Sequence, residues 1–261
     1  MNKTGICYQA YIPMRKEPDE TSEMVNQVLF GESFSILEEN KSGNFSFIQL
    51  AHDKYEGWVN SACIYSLTEE EQVNKKNRPT VVTHDLFNLL HPVNTDTPLI
   101  IGCGSLLRPT STGKILVGEN EYQIPQIPPN DPLRIREDII SHGLKLLSVP
   151  YLWGGRSSFG FDCSGLCQNL YRQVGIEIPR DASKQAGIGH SISFINDAQA
   201  GDLAFFDNAE GNIIHVGMIM GDGKIIHASG RVKIDQVDHQ GIFSTEHNRY
   251  THTLRLIKKL V

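Results

Sequence analysis

Cys163 stands directly after Asp162, where a glycine-rich stretch, Tyr151-Leu152-Trp153-Gly154-Gly155-Arg156-Ser157-Ser158-Phe159-Gly160-Phe161, gives way to a helical pattern. Leu166, Leu170, Tyr171 and Val174 recur at helical spacing until Gly175 stops the run. Asp162 is a natural N-cap, so Cys163 belongs to the first turn of the predicted helix. There the unpaired backbone N–H groups and the positive end of the dipole favour thiolate over thiol. A cysteine in that setting is an activated nucleophile once a base stands beside it. The plainer reading is a small apolar residue packed under a helix, and the rest of the chain weighs against it.

Two histidines follow, each in a segment that reads as a strand. Ile213-Ile214-His215-Val216-Gly217-Met218-Ile219-Met220 is apolar and β-branched, Gly221-Asp222-Gly223 is a turn signal, and Lys224-Ile225-Ile226-His227-Ala228-Ser229 resumes the strand. The expectation is a hairpin with a histidine on each arm. A cysteine-peptidase site needs a thiolate, an imidazole to hold its proton, and a polar group to orient that imidazole. Cys163, His215 and His227 supply them in that order. A histidine serves as the third member only in its neutral, accepting tautomer, which sequence does not reveal.

Phe161-Asp162-Cys163-Ser164-Gly165, Ala200-Gly201-Asp202-Leu203-Ala204-Phe205-Phe206, His215-Val216-Gly217 and Ile226-His227-Ala228 resemble the motifs of the NlpC/P60 family of cell-wall peptidases. The resemblance covers roughly residues 132–261. It implies a circularly permuted papain-like α+β fold with a Cys-His-polar triad. The implied reaction is hydrolysis of the bond between γ-D-glutamate and a diamino acid in peptidoglycan stem peptides. Carried over by position, Cys163 is the nucleophile, His215 the base and His227 the orienting residue. Tyr151 resembles the family tyrosine whose hydroxyl helps hold the oxyanion, with the Cys163 backbone N–H as the other donor.

Other residues of the segment have chemical readings too. Gly154, Gly155 and Gly160 would permit a close approach of substrate to the backbone. Trp153 either walls the cleft or belongs to the core, and Cys167 reads as structural. Asp162 and Ser164 flank the nucleophile as polar groups near the scissile bond, with helix capping the competing role for Asp162. Pro179-Arg180-Asp181-Ala182-Ser183-Lys184-Gln185 opens a second short helix. In the related subfamily this segment lines the end of the cleft that holds the amino terminus of the stem peptide. Asp181 and Ser183 are therefore candidate substrate contacts, against the plainer reading of Asp181 as a helix cap.

The elements around this site follow from length and composition. A chain of 261 residues exceeds the usual size of one compact domain. The net charge of −6, from 24 basic and 30 acidic residues with no basic block, argues against nucleic acid or an anionic membrane as the main partner. Five cysteines, odd in number and without CxxC spacing, fit neither a disulfide framework nor a zinc site. No metal or organic cofactor is expected. No stretch approaches a transmembrane span. The first residues lack an apolar run of signal-peptide length. A cytoplasmic protein is expected, with export the alternative if a signal peptide was removed. A monomer is expected.

From about Gly5 to Tyr65 the pattern changes to short strand-like segments, 34–37, 45–50 and 57–59, between Glu/Asn/Gly turns. Met14-Arg15-Lys16-Glu17-Pro18, Leu29-Phe30-Gly31-Glu32 and Tyr55-Glu56-Gly57-Trp58-Val59 resemble a bacterial SH3 domain. Residues 67–78 are polar and read as a linker. Val81-Val82-Thr83, Leu99-Ile100-Ile101-Gly102 and Tyr122-Gln123-Ile124 suggest a second SH3-like barrel. Pro125, Pro128, Pro129 and Pro132 mark the approach to the catalytic domain. The expected architecture is an α+β papain-like domain at 131–261, behind two small all-β barrels at 1–66 and 67–130.

This arrangement resembles a subgroup that recycles murein peptides, in which the first SH3 domain closes one end of the cleft and selects a free N-terminal L-alanine. A buried ammonium needs carboxylate or hydroxyl partners, and Glu23 and Tyr55 are the candidates by position. The substrate implied is an L-Ala-γ-D-Glu-diamino acid peptide already released from the wall. The alternative is a secreted hydrolase that acts on intact peptidoglycan with its SH3 domains as wall anchors. A non-catalytic binding module is a further rival, opposed by the presence of Cys163, His215 and His227.

Overall fold

Alternation of apolar and polar residues organises the N-terminal half. Seven strands, β1 (Thr4–Ile6), β2 (Tyr11–Arg15), β3 (Met24–Leu29), β4 (Ser33–Glu39), β5 (Phe45–Leu50), β6 (Glu56–Asn60) and β7 (Tyr65–Ser66), form one antiparallel sheet in the order β3-β2-β6-β5-β4-β1-β7. Ile12 and Met14 on β2, Ile48 and Leu50 on β5 and Val59 on β6 point to the same side, as a period of two requires, and close a core around Cys7, Val28 and Phe34. The computed structural model describes residues 3–93, 97–117, 120–124, 126, 127, 129 and 131–261. Pro125 and Pro128 of the proline-rich approach lie outside the described residues.

The stretch read as a linker folds differently from that expectation. Residues Glu69–Lys76 form helix α1. Its start is a capping box: Glu71 N donates to Thr68 Oγ1, and Thr68 N donates to the Glu71 carboxylate. Three glutamates in the first turn and two lysines in the last complement the dipole. Threonine followed three residues later by glutamate carried that signal, which the polar composition obscured.

Beyond α1 come β8 (Val81–Val82), β9 (Phe87–Pro92), β10 (Leu99–Gly102), β11 (Leu106–Leu107), β12 (Lys114–Val117) and β13 (Asn120–Gln123). They pair as a four-stranded sheet, β10-β9-β13-β12, and a two-stranded one, β11-β8. Their core of Leu90, Ile101, Leu107, Ile115 and Val117 takes in Phe30 from the loop after β3. Leu106 N also donates to Phe30 O, and Arg108 to Gly31 O. Because the two β regions share apolar core and backbone bonds, 1–129 behaves as one compact unit and 130–261 as another.

The second unit holds α2 (Ile135–Lys145), β14 (Arg156–Ser157), β15 (Gly160–Phe161), α3 (Cys163–Gln173), α4 (Ala182–Gln185), β16 (His190–Ile192), β17 (Leu203–Asp207), β18 (Ile213–Gly221), β19 (Lys224–Ser229), β20 (Arg231–Val237), β21 (Gly241–Ser244) and β22 (Arg249–Lys259). Strands β16 to β22 form an antiparallel sheet in the order β16-β22-β17-β18-β19-β20-β21, and β21 pairs back onto β22. α3 packs against β18 and β19 and also touches α2, so the helix end that carries Cys163 meets the strands that carry the histidines. Every residue of α3 is buried. Antiparallel sheet with helices laid on it is the α+β arrangement expected of this half.

Candidate active site

Asp162 ends the extended approach at φ −88°, ψ 177°, and its carboxylate accepts from Gly165 N at 2.7 Å, capping α3 so that Cys163 is the first helical residue. The same carboxylate accepts from Gly154 N at 3.0 Å, from Ser164 Oγ at 3.2 Å and from both terminal nitrogens of Arg180 at 3.0 and 2.5 Å. Arg180 also donates to Ser164 Oγ at 2.9 Å and is buried. Bidentate pairing of this kind is strong and geometrically exacting. It leaves Asp162 with its hydrogen bonds inside the protein, so this residue shapes the site through the helix cap and Arg180.

The glycines nearby are packing devices. A Cβ on Gly165 would lie 2.1 Å from Gly155 O, one on Gly155 would lie 2.4 Å from Gly160 O, and one on Gly160 would strike Leu152. At Gly155 and Gly160 the room a side chain would take is filled by the protein's own backbone and side chains, so internal packing by itself requires glycine there. The glycines let the loop 152–160 fold flat against the start of α3.

Cys163 itself is 9 % exposed. Burial and the neighbouring Asp162 push its thiol up to about 11, against the weaker opposing pull of the Val216 and Ser164 backbone N–H groups and of Arg180. Desolvation thus outweighs the helix dipole in the resting site, contrary to the thiolate expected from position alone. His215 moves the other way: burial, with His252, His227 and Lys233 as further causes, holds it well below the usual imidazole range. The pair rests as thiol and neutral imidazole.

The hairpin forms with Asp222 and Gly223 both at positive φ, as a tight Asp-Gly turn demands. It brings His215 on β18 and His227 on β19 together, with His215 Nε2 at 2.9 Å from His227 Nδ1 and the rings edge to face. Gly217 makes the approach possible, since a Cβ there would meet His227 Cβ at 2.9 Å. His227 Nε2 in turn lies 3.1 Å from Asp235 Oδ2 on β20, and Lys233 Nζ is 3.1 Å from the same oxygen. A fourth imidazole, His252 on β22, stacks on His215 with centroids 4.1 Å apart and planes 23° apart. Burial lowers His252 to about 4. Among the described residues, no group of three or more His, Cys, Asp and Glu side chains is arranged to hold a metal ion.

Tyr151 lies near Cys163 and Asp162. Burial, then Cys163 and Asp162, raise its hydroxyl to about 12, so it stays protonated and remains a donor. Trp153 is 61 % exposed, which removes it from the core. Ser164 is buried between Asp162 and Arg180. Asp181 precedes α4 without a side-chain cap and pairs instead with Lys184 at 3.2 Å on the surface, and Ser183 is exposed. Glu23 and Tyr55 belong to the N-terminal unit. There Glu23 is exposed and pairs with Lys16 at 3.6 Å, while Tyr55 is half-buried against the core of the first sheet.

Arg180, Asp235, Lys233 and His252 were not singled out from sequence. Arg180 is the sequence neighbour of Asp181, the candidate substrate contact. A signal for Asp235 existed: Ser229-Gly230-Arg231 makes a turn so short that it fixes Lys233 opposite His227 and Asp235 opposite Ile225.

Both β-rich and catalytic-type regions of the chain are similar to known proteins. The NlpC/P60 family matches residues 148–251, and the bacterial dipeptidyl-peptidase SH3 domain matches residues 14–64. A gamma-D-glutamyl-L-lysine dipeptidyl-peptidase of Bacillus subtilis (strain 168) is 48% identical over 94 residues, which is 35% of this chain and 31% of the relative. A protein of the same name from Bacillus cereus is 42% identical over 29% of its length, so the chain spans about a third of each of these two. Dipeptidyl-peptidase 6 of Lysinibacillus sphaericus is 27% identical over 248 residues, 86% of this chain and 88% of that one. A crystal structure of an NlpC/P60 family protein from Bacillus cereus ATCC 10987 has the same fold, with a TM-score of 0.82 at 21% identity across 98% of this chain and 99% of that one.

Proposed function

Because the chain contains an NlpC/P60 domain preceded by a bacterial SH3 domain, we propose that it is a cysteine endopeptidase that hydrolyses the γ-D-glutamyl–diamino acid bond of peptidoglycan stem peptides. The observation that carries the reading is Cys163 at the start of a capped helix, packed against a strand whose His215 is hydrogen-bonded to His227 at 2.9 Å. The names of the dipeptidyl-peptidase relatives support the substrate class.

The Cys163 sulfur attacks the γ-carbonyl carbon while its proton passes to His215. The oxyanion that develops is met by the protonated Tyr151 hydroxyl and by the backbone N–H of Cys163. His215 then gives its proton to the leaving amine, the C–N bond breaks, and a thioester remains. Water attacks the thioester as His215 takes its proton. The thiolate leaves and is reprotonated from His215, which restores the resting pair.

Short, already released peptides with a free L-alanine are the preferred substrates in this reading, which puts the enzyme in the cytoplasm. The region 79–127 is read as a second SH3-like barrel, with Glu23 and Tyr55 of the first as partners of the substrate ammonium and Trp153, Asp181 and Ser183 as cleft-side candidates. Mass-spectrometric product analysis of L-Ala-γ-D-Glu-diaminopimelate and its N-acetylated counterpart tests this. Release of L-Ala-γ-D-Glu from the free-amine peptide alone supports a recycling enzyme. Equal cleavage of both favours a hydrolase of intact wall, and cleavage of neither overturns the substrate class.

A further inference from the structure

Asp235 belongs to none of the motifs around Cys163, His215 and His227, yet it is hydrogen-bonded to His227, which is itself bonded to His215. On β20, Lys233 lies opposite His227, and Asp235, two residues on, shares its face of the strand. The carboxylate is 4 % exposed, with Oδ2 at 3.1 Å from His227 Nε2 and 3.1 Å from Lys233 Nζ. We propose that Asp235 is a positioning residue of the catalytic site, fixing the tautomer of His227 and through it the nitrogen of His215 that receives the thiol proton. The proposal rests on the reading of Cys163 and His215 as nucleophile and base.

The argument is a count of donors. A neutral imidazole has one N–H and one lone pair. An ionised carboxylate offers no proton, so the bond to Asp235 is donated by His227 Nε2–H. His227 Nδ1 then has only a lone pair, and the 2.9 Å bond to it is donated by His215 Nε2–H. The lone pair of His215 is thereby placed on Nδ1, where it can accept the proton of Cys163. The reverse tautomer of His215 would set two lone pairs against each other.

The charge states agree with this count. The hydrogen bond from His227, with Lys233 as a further cause, holds Asp235 below the usual carboxylate range, and burial holds His227 neutral. The groups around these bonds are Cys163, Asp162 and Tyr151 near the start of α3, His252 on β22 and Lys233 on β20. Among the described residues Asp235 is the carboxylate bonded to this histidine pair. When His215 becomes imidazolium during attack, Asp235 is the anion that balances it through His227.

The test uses the full chain carrying Asp235→Ala, Asp235→Asn and Asp235→Glu. Loss of an outer hydrogen-bond partner of this kind costs about 10–100-fold in activity. We expect that loss in kcat for Asp235→Ala on the free tripeptide, with KM changed by less than about twofold, a smaller loss for Asn and partial rescue by Glu. In both neutral variants the acid limb of kcat/KM moves to lower pH, because the carboxylate that favoured imidazolium is gone. Ring-nitrogen NMR of histidine-labelled wild-type protein gives a readout that needs neither substrate nor a variant that folds. Protonation of His227 and His215 at Nε2 is expected. Protonation of His227 at Nδ1, or a folded Asp235→Ala with wild-type kcat and pH profile, overturns the proposal. Nε2 protonation in a protein inactive on the tripeptide would count against the substrate reading and leave the Asp235 assignment standing.

Discussion

At the start of α3 the polar groups are tied to one another: Asp162 and Arg180 form a buried bidentate pair, bound further to Gly154, Gly165 and Ser164. On the facing strands the arrangement is the opposite. Three stacked or edge-to-face imidazoles, His215, His227 and His252, are held neutral by burial, and charge enters only at the far end, on Asp235 and Lys233. The first region is held by a salt bridge, and the second is a row of neutral rings hydrogen-bonded in series. A locked ion pair gives rigidity at the start of α3, beside Cys163. A row of neutral histidines holds a vacant proton site beside it.

Breaking the locked half should have the largest effect on folding. Arg180→Leu leaves the Asp162 carboxylate buried without its cation, and removing one partner of such a pair costs about 3–5 kcal/mol. Denaturant unfolding of the variant would read this. A loss within about 0.5 kcal/mol would mean that the pair does not lock the loop. Removing one donor from the oxyanion comes next. Tyr151→Phe is expected to lower kcat by about 10²–10³-fold with little change in stability, and an unchanged kcat would take Tyr151 out of the mechanism.

The histidine half should respond to acid. His215, His227 and His252 have folded values below the 6.5 of a free imidazole, reaching about 4 at His252. Their protonation therefore favours the unfolded chain. The stability this gives is complete above about pH 6.5 and falls as pH drops toward 4. Thermal melts between pH 7.5 and 4.5 should show a falling Tm, and a flat or rising Tm would contradict the burial of a neutral row. At the small end for stability, Asp181→Asn breaks a surface pair with Lys184, worth less than about 0.5 kcal/mol. A larger loss of substrate affinity than of stability in that variant would support Asp181 as a cleft-side contact, and no loss of affinity would remove it.

What the chain made readable was local. Asp162, Cys163 and the Leu166–Leu170–Tyr171 spacing announce a capped helix, and Gly221-Asp222-Gly223 between β-branched runs announces the hairpin with its two histidines. Long-range pairings were not readable in the same way. Arg180 finds Asp162 across 18 residues, and His252 reaches His215 only because β22 returns beside β17. The state of Cys163 was also out of reach, since its thiol is set by burial under neighbouring elements and a helix end predicts the reverse. In the other unit, the sharing of Phe30 between two β regions depends on tertiary packing that strand patterns do not encode.

The central claim, that Cys163 is the nucleophile of a γ-D-glutamyl endopeptidase, is tested most directly by turnover of L-Ala-γ-D-Glu-diaminopimelate by pure Cys163→Ala. We expect a folded protein with wild-type melting behaviour and a rate lower by at least about 10⁴-fold. Substantial hydrolysis of the γ-D-glutamyl bond by that variant would contradict the account.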